Sequence, residues 1–474
     1  MTTGTAQLSV EELITAYRTK QLSPVEVTEE ALNRISDYNP ILNAFCHATP
    51  ERALATARES EARWMRGEPV GPLDGIPVSV KDTLMVKGQP FRRGSRATST
   101  NPVEESAPVV DHALNAGSVL LGITTTPEFG AGPVTISPLT GITRNPWNPA
   151  MTSGGSSGGA ASSLAAGIGH AALATDAGGS IRIPAALCGV VGFKSTGGRL
   201  PTYPPNVAGT LSSPGAITRS VRDAAYMLDV LTQPDLRDPE MLPPASGSYL
   251  ARLAVPMQPC RIAFTTDMGY AQRVDPEVVD AVVKAARHFS SLGFEVEEAH
   301  PGVAYPIDTF LNMFRPGFAY TLRNFSEEQL ALVGPTLREV VEKGRTVSVI
   351  DYLTAQDQRR AYARQLQQFH ARYPLLLTPA VSVPAFPAER WTPESFDDIP
   401  DTRAWTPFLS MFNLTQQPAI SIPCGLTRGG LPIGLQIVGP RFADAEVLAA
   451  ASLYQQTSGV TLTCPMLARV DTRG

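Results

Sequence analysis

Three short stretches carry residue types that do chemistry once they are brought together. The densest is residues 153–159, S-G-G-S-S-G-G. Core packing does not explain four glycines and three serines in seven residues. Glycine lets a backbone turn sharply and lets a ligand approach closely. A loop that runs into a helix also presents N–H groups to an anion. A flexible linker is the alternative reading, opposed by the apolar helical sequence that follows at once. The second stretch is D-A-G-G-S-I-R at 176–182, two glycines ahead of a serine between an expected strand and an expected helix. It either aims several backbone N–H groups at one point beside a hydroxyl, as an oxyanion hole does, or is a structural turn. The third is G-I-P-V-S-V-K-D at 75–82, which ends an apolar strand on Lys81. Lysine is rarely buried. If buried, Lys81 would give up its proton readily and serve as a base; pointing to solvent, it would do neither.

A serine nucleophile needs a base. The histidines are poorly placed for it. His47, His288, His300 and His370 sit in helical or strand-end contexts without glycine-rich surroundings, and His170 leads an expected strand. Lysine paired with serine is the known substitute. Residues 154–159 also contain G-x-S-x-G twice, centred on Ser156 and on Ser157. An α/β-hydrolase elbow needs an apolar strand immediately before it, and N-P-A-M-T-S at 148–153 is not one.

Taken together, these residues make the chain similar to the amidase signature family, the Ser-Ser-Lys amidohydrolases. The matching stretches are GIPVSVKD at 75–82, TRNPWNP at 143–149, GGSSGGAAS at 154–162 and DAGGSIRIPAALCGVVGFKST at 176–196. SSPGAITRSVRDAA at 212–225, NLTQQPAISIPCG at 413–425 and LPIGLQIVGP at 431–440 continue the match. It covers essentially the whole chain, weakly from about 235 to 405. The intervals of 75 residues from Lys81 to Ser156 and 24 from Ser156 to Ser180 agree with the family pattern.

The resemblance implies an α/β/α layered fold with a central mixed β-sheet flanked by helices. It implies an amidohydrolase that cleaves C–N acyl bonds in a small-molecule amide, aryl amide or carbamate, or an ester, without cofactor or metal. Ser180 would be the nucleophile that forms the acyl-enzyme. Ser156, held by a cis peptide to Ser157, would bridge it to Lys81. A neutral Lys81 would draw the proton through Ser156 and return it to the leaving amine. Backbone N–H groups of Ala177, Gly178, Gly179 and Ser180 would hold the oxyanion, with Gly155 and Ser157 in support. Asp176 and Arg182 would either fix the nucleophile loop or form an ordinary ion pair. The alternative within the family is the amidase component of a glutamine-dependent tRNA amidotransferase, which the weak, aromatic-rich match over 235–405 argues against. Two departures from the pattern stand out. Residues 122–129 read G-I-T-T-T-P-E-F where the family has G-K-T-N-x-P-E-F, so Ile123 and Thr125 replace a lysine and an asparagine. Ala177 stands where a larger threonine or isoleucine is commoner, which is expected to widen the site.

The rest of the chain must position these residues. At 474 residues it is long enough for a sizeable core. We expect one amidase domain over 1–474: N-terminal helices at 1–72, a catalytic core at 73–232, a helix-rich insertion at 235–405 that shapes the substrate pocket, and a return to the core sheet at 406–474. Capping boxes at Ser9/Glu12 and Ser23/Glu26 start the first helices. Strands are expected at 76–80, 118–123, 171–174, 190–193, 261–264, 294–298, 375–378, 419–423 and 433–438. Helices are expected at 109–116, 156–169, 219–231 and 444–456, and over most of 305–372. Strands alternating with helices indicate an α/β fold. The aromatic run from Tyr305 to Phe325 either caps a pocket or fills a helix core.

A net charge of −5 without a basic cluster argues against direct nucleic-acid binding, Arg92 and Arg93 being an isolated pair. Five sparse cysteines without a C-x-x-C pattern argue against zinc and for a reduced, cytoplasmic setting. The start lacks the zones of a signal peptide, and the weakly polar run at 158–174 is too short for a membrane span. Monomer and homodimer both remain open.

Overall fold

The computed structural model describes residues 4–468; residues 1–3 of the N-terminal segment and 469–474 of the C-terminal one lie outside the described residues. Helices begin where the sequence places their caps. Ser9 with Glu12 and Ser23 with Glu26 close reciprocal capping boxes ahead of Val10–Arg18 and Pro24–Leu42. Each box satisfies N–H groups that a helix start leaves unpaired. Pro50–Arg66 starts on a proline without a side-chain cap and ends at Gly67 in the left-handed region.

Among the described residues, eleven strands form one sheet. In chain order they are β1 (Phe45–Ala48), β2 (Pro77–Lys81), β3 (Val119–Thr124), β4 (Ala171–Asp176), β5 (Val191–Lys194), β6 (Ser213–Thr218), β7 (Arg261–Phe264), β8 (Glu295–Glu298), β9 (Leu375–Pro379), β10 (Ala419–Leu426) and β11 (Pro432–Val438). Their spatial order is β1-β3-β2-β4-β6-β5-β10-β11-β9-β7-β8. β2 runs parallel to β3 and β4, and β7 runs parallel to β8 and β9. The remaining neighbours are antiparallel. The sheet is therefore mixed, as expected. β2, β3, β4, β6, β9 and β11 are buried along their whole length. Strands covered on both faces read as continuous runs rather than as an alternation. Helices supply the cover: Leu13, Val109, Val221, Phe289 and Leu448 share one core cluster with Val78, Leu173, Ile420 and Leu435 of the sheet.

Several elements differ from expectation, β1 among them, which was not expected. The helix expected at 156–169 is only Gly158–Ala165, which leaves Ser156 and Ser157 in the loop ahead of it. β6 was not expected. Its sequence, S-P-G-A-I-T, holds a proline and a glycine that disfavour strand, yet pairing with β4 on one side and β5 on the other fixes it. The long loop after β3 contains two small hairpins, one of which uses Asn148–Thr152. That segment is thus a strand, but it lies outside the central sheet and feeds no hydrolase elbow.

Residues 235–405 contribute β7, β8 and β9 together with helices Tyr249–Arg252, Pro276–Ser291, Ile307–Thr321, Glu327–Ala331, Pro335–Arg345 and Val349–Arg372. On Ile307–Thr321 the rings of Phe310, Phe314 and Phe318 follow one another at helical spacing, with centroids 5.0 and 4.7 Å apart. Among the described residues no helix is long and apolar enough to cross a membrane.

Candidate active site

β2 positions the lysine. Flanked by parallel strands on both sides and buried throughout, it leaves its last side chain no route to solvent, and Lys81 is 0% exposed. The solvent-pointing reading of Lys81 is thereby excluded. Lys81 Nζ donates to Ser156 Oγ at 2.7 Å, Ser157 Oγ at 2.8 Å, Thr175 Oγ1 at 3.2 Å and Thr175 O at 3.4 Å. Burial pulls its pKa down from 10.5 to about 7, against the charge of Asp176, which favours the ammonium. Lys81 therefore loses its proton near neutrality and can then accept one from a hydroxyl.

The two serines come from the glycine-rich loop. The cis peptide lies before Ser156, between Gly155 and Ser156, and not between Ser156 and Ser157 as expected. Position 155 must be glycine for packing reasons, since a Cβ there would lie 2.6 Å from the Val134 carbonyl carbon. Ser157 does more than support the turn: besides touching Lys81, its N–H donates to Ser180 O at 3.1 Å and so ties the two loops together. Ser156 and Ser180 line one cleft with Thr175 and Ala177. Their hydroxyls share it without a hydrogen bond to each other among the described residues.

Asp176 ends β4 and is wholly buried. Arg182 grips it with two bonds, Nε to Oδ2 at 2.9 Å and Nη2 to Oδ1 at 3.0 Å. The carboxylate also accepts the N–H groups of Gly179 at 2.7 Å and Ile181 at 3.2 Å, and Asn413 Nδ2 at 2.9 Å. Arg182 in turn donates to Asn413 Oδ1 and Gln436 Oε1, both at 2.7 Å. Burial alone would raise the Asp176 pKa; the Arg182 charge and these hydrogen bonds hold it well below the usual carboxylate range. The ion pair and the loop clamp are thus one device: Asp176 holds the backbone on both sides of Ser180. Removing that charge would strand a buried guanidinium, so Asp176→Asn is expected to cost roughly 3–5 kcal/mol, read as a lowered urea midpoint. A midpoint within experimental error of the parent protein would refute the clamp.

This clamp corrects one expected oxyanion donor. The Gly179 N–H, on a residue with φ 115°, is given to Asp176 Oδ1. The nearest strong acceptor takes it, which leaves Ala177, Gly178 and Ser180 of the expected four; Ala177 and Ser180 line the cleft. None of the six histidines does.

Ile123 lies in the buried core of β3, and the Thr125 hydroxyl is spent on Thr143 Oγ1 at 2.6 Å and Asn43 O at 3.1 Å. Neither Ile123 nor Thr125 is among the residues that line the cleft, whereas Ala177 is. The aromatic run serves both expected purposes. Phe310, Phe314 and Phe318 form a core cluster with Phe129 and Leu211. Phe314 and Phe318 also wall the cleft, and a Cβ at Gly178 would lie 2.7 Å from Phe310 Cζ. Residue reading missed Thr175, Asn413 and Gln436 as members of the site. Asn413 and Gln436 stand inside stretches that carry the family match, which was the available signal; Thr175 had none beyond its place before Asp176.

Comparison with known proteins places the chain in a family. The family model described as Amidase matches residues 26–448. The chain is 34% identical to an acylamidase of Rhodococcus erythropolis, over 94% of this chain and 95% of that one. It is also 34% identical to a glutamyl-tRNA(Gln) amidotransferase component of Chloroflexus aggregans, over 98% and 99%. A bacterial aryl acylamidase of the amidase signature family superposes with a TM-score of 0.91 at 31% identity, over 98% of this chain and 99% of that one. With the match running nearly end to end, the chain belongs to the amidase signature family, hydrolases of carbon–nitrogen bonds other than peptide bonds.

Proposed function

We propose that this hydrolase cleaves small-molecule amides, aryl amides among them, through an acyl-enzyme on Ser180. The observation that carries the mechanism is the wholly buried Lys81, 2.7 Å from Ser156 and able to lose its proton near neutrality. Neutral Lys81 takes the Ser156 hydroxyl proton as Ser156 takes that of Ser180. Ser180 Oγ attacks the carbonyl carbon, and the oxyanion settles among the N–H groups of Ala177, Gly178 and Ser180. The proton then returns through Ser156 to the leaving nitrogen as the C–N bond breaks. Water, activated by the same pair, releases the acid and restores Ser180. Every step uses groups of the chain, so the scheme needs no cofactor. The apolar, aromatic wall supplied by 305–325 favours hydrophobic or aryl substrates.

We read the chain as one domain, because strands from the catalytic core, from 235–405 and from the C-terminal segment share one sheet. The test is a panel of anilides, fatty amides, carbamates and glutamine offered to the purified chain, with amine release followed by chromatography. Release from anilides or fatty amides is the expected result. Hydrolysis confined to glutamine, with co-purifying partner chains, would instead make it one component of an amidotransferase. The likeness to the Chloroflexus aggregans protein lends weight to that second reading.

A further inference from the structure

Arg93 is the one charged side chain among the described residues that line the Ser180 cleft. Its guanidinium carbon lies 4.3 Å from the ring centroid of Phe91 and 5.3 Å from that of Phe129. Among the described residues its guanidinium has neither a hydrogen bond nor an ion pair; the Asp82 charge acts on that guanidinium only through space. The two carboxylate oxygens of Asp82 are already given to the N–H groups of Arg92 at 3.1 Å and Gly94 at 2.8 Å. Those bonds hold the loop that carries Arg93, anchoring it to the residue next to Lys81.

Arg93 itself sits at φ 52°, a conformation rare outside glycine, and its carbonyl accepts the Phe129 N–H at 2.7 Å. The backbone is thus held in an uncommon state to place a cation between two rings. Arg93 is partly buried, and burial lowers its pKa to about 10, so the group stays charged at neutral pH, with no acceptor on its guanidinium among the described residues. Arg182 and Arg219 differ: Arg182 spends its donors on Asp176, Asn413 and Gln436, and Arg219 on backbone carbonyls. Stacking occupies the faces of a guanidinium and leaves its in-plane N–H edge for an acceptor.

We propose that Arg93 receives a carboxylate on the substrate, so that the preferred amides have an apolar or aryl body and a carboxylate separate from the scissile bond. This deepens the amidase reading and rests on it. A charge-assisted, two-pronged bond from an arginine fork to a carboxylate is the strong form of this interaction. Apolar walls on the remaining sides, Leu84, Val109, Phe314 and Phe318 among them, suit the rest of such a molecule.

The test uses matched pairs in which a methyl group replaces the carboxylate O⁻. On the acyl side these are N-phenylsuccinamate and the anilide of 4-oxopentanoic acid; on the amine side, 4-acetamidobenzoate and 4-acetamidoacetophenone. In wild type, kcat/KM is expected to favour the carboxylate by about tenfold or more in at least one pair. Arg93→Met is expected to bring that ratio to about one, and Arg93→Lys, which keeps the charge and loses the fork, to an intermediate value. The ratio is taken within each enzyme, so a general loss of activity does not mimic the effect. A ratio near one in wild type for both pairs, or one unchanged in Arg93→Met, overturns the proposal. Calorimetric binding of the same pairs to Ser180→Ala gives the preference without turnover and without altering Arg93. Neutral anilides hydrolysed with no carboxylate preference would sink this inference alone. Carboxylate binding preferred without hydrolysis of any amide would sink the amidase reading and leave the subsite standing.

Discussion

Ser180→Ala is expected to lose both turnover and labelling by a serine-directed phosphonate. Ser180 lines the cleft and its hydroxyl has no hydrogen bond among the described residues, whereas the hydroxyls of Ser156 and Ser157 are engaged by Lys81 at 2.7 and 2.8 Å. Asp176, through Gly179 and Ile181, fixes the backbone on both sides of Ser180 but does not touch the reacting atoms. Removing the nucleophile of a covalent mechanism typically costs roughly 10⁴-fold or more in kcat. The fold should survive, because Ser180 makes its inter-loop bond through its carbonyl, which alanine keeps. Mass spectrometry of the phosphonate adduct locates the modified residue. An adduct that persists in Ser180→Ala, on Ser156 or elsewhere, or turnover within tenfold of wild type, would place the nucleophile at another residue.

The parts of this site that could be read in the sequence are those whose residue type is costly without a purpose. Glycines at 154–159 and a lysine ending an apolar strand are anomalies against core packing, and the structure brings both stretches together. The helical ends were equally legible, because Ser9, Glu12, Ser23 and Glu26 act locally. What escaped is non-local. β6 is a strand only because β4 and β5 hold it, and its own proline and glycine argue the other way. The shortening of the helix to Gly158–Ala165 follows from tertiary contacts: Thr135 Oγ1 accepts the Gly158 N–H at 3.1 Å and donates to Gly154 O at 2.8 Å. Similarly, A-G-G-S offers four equivalent oxyanion donors by its sequence, and only the folded Asp176, three residues before Gly179, claims one of them. Arg93 is the extreme case. In the sequence it is half of an isolated basic pair, and only the rings of Phe91 and Phe129 and its place in the Ser180 cleft give it meaning.

The pH dependence of kcat/KM should expose the state of Lys81 directly. Only the neutral amine can take a proton from Ser156, and burial sets its pKa near 7. Activity is therefore expected on a plateau in mild alkali, falling about tenfold per pH unit below 7. Two other buried groups titrate nearby and must be told apart. Burial pushes the Asp82 carboxyl up to about 6, so a limb centred there, shifted by Asp82→Asn, would belong to that residue. Burial likewise pulls Lys194 down to about 7, but it donates to Ser195 O at 3.1 Å and does not line the cleft. The acid limb should then persist in Lys194→Met and vanish in Lys81→Met, whose residual rate, lower by roughly 10³-fold or more, becomes flat. Stability moves by the same linkage. The folded Lys81 binds its proton more weakly than the unfolded one, so its penalty is full below about 7 and is relieved as pH rises toward 10.5. Urea midpoints should accordingly climb over that interval, and less steeply in Lys81→Met than in the parent. A wild-type rate that is flat from mildly acidic to alkaline pH, or an acid limb that survives Lys81→Met, would remove the lysine from the role of base. The buried amine beside Ser156 would then be a structural donor, and the proton of Ser180 would need another acceptor.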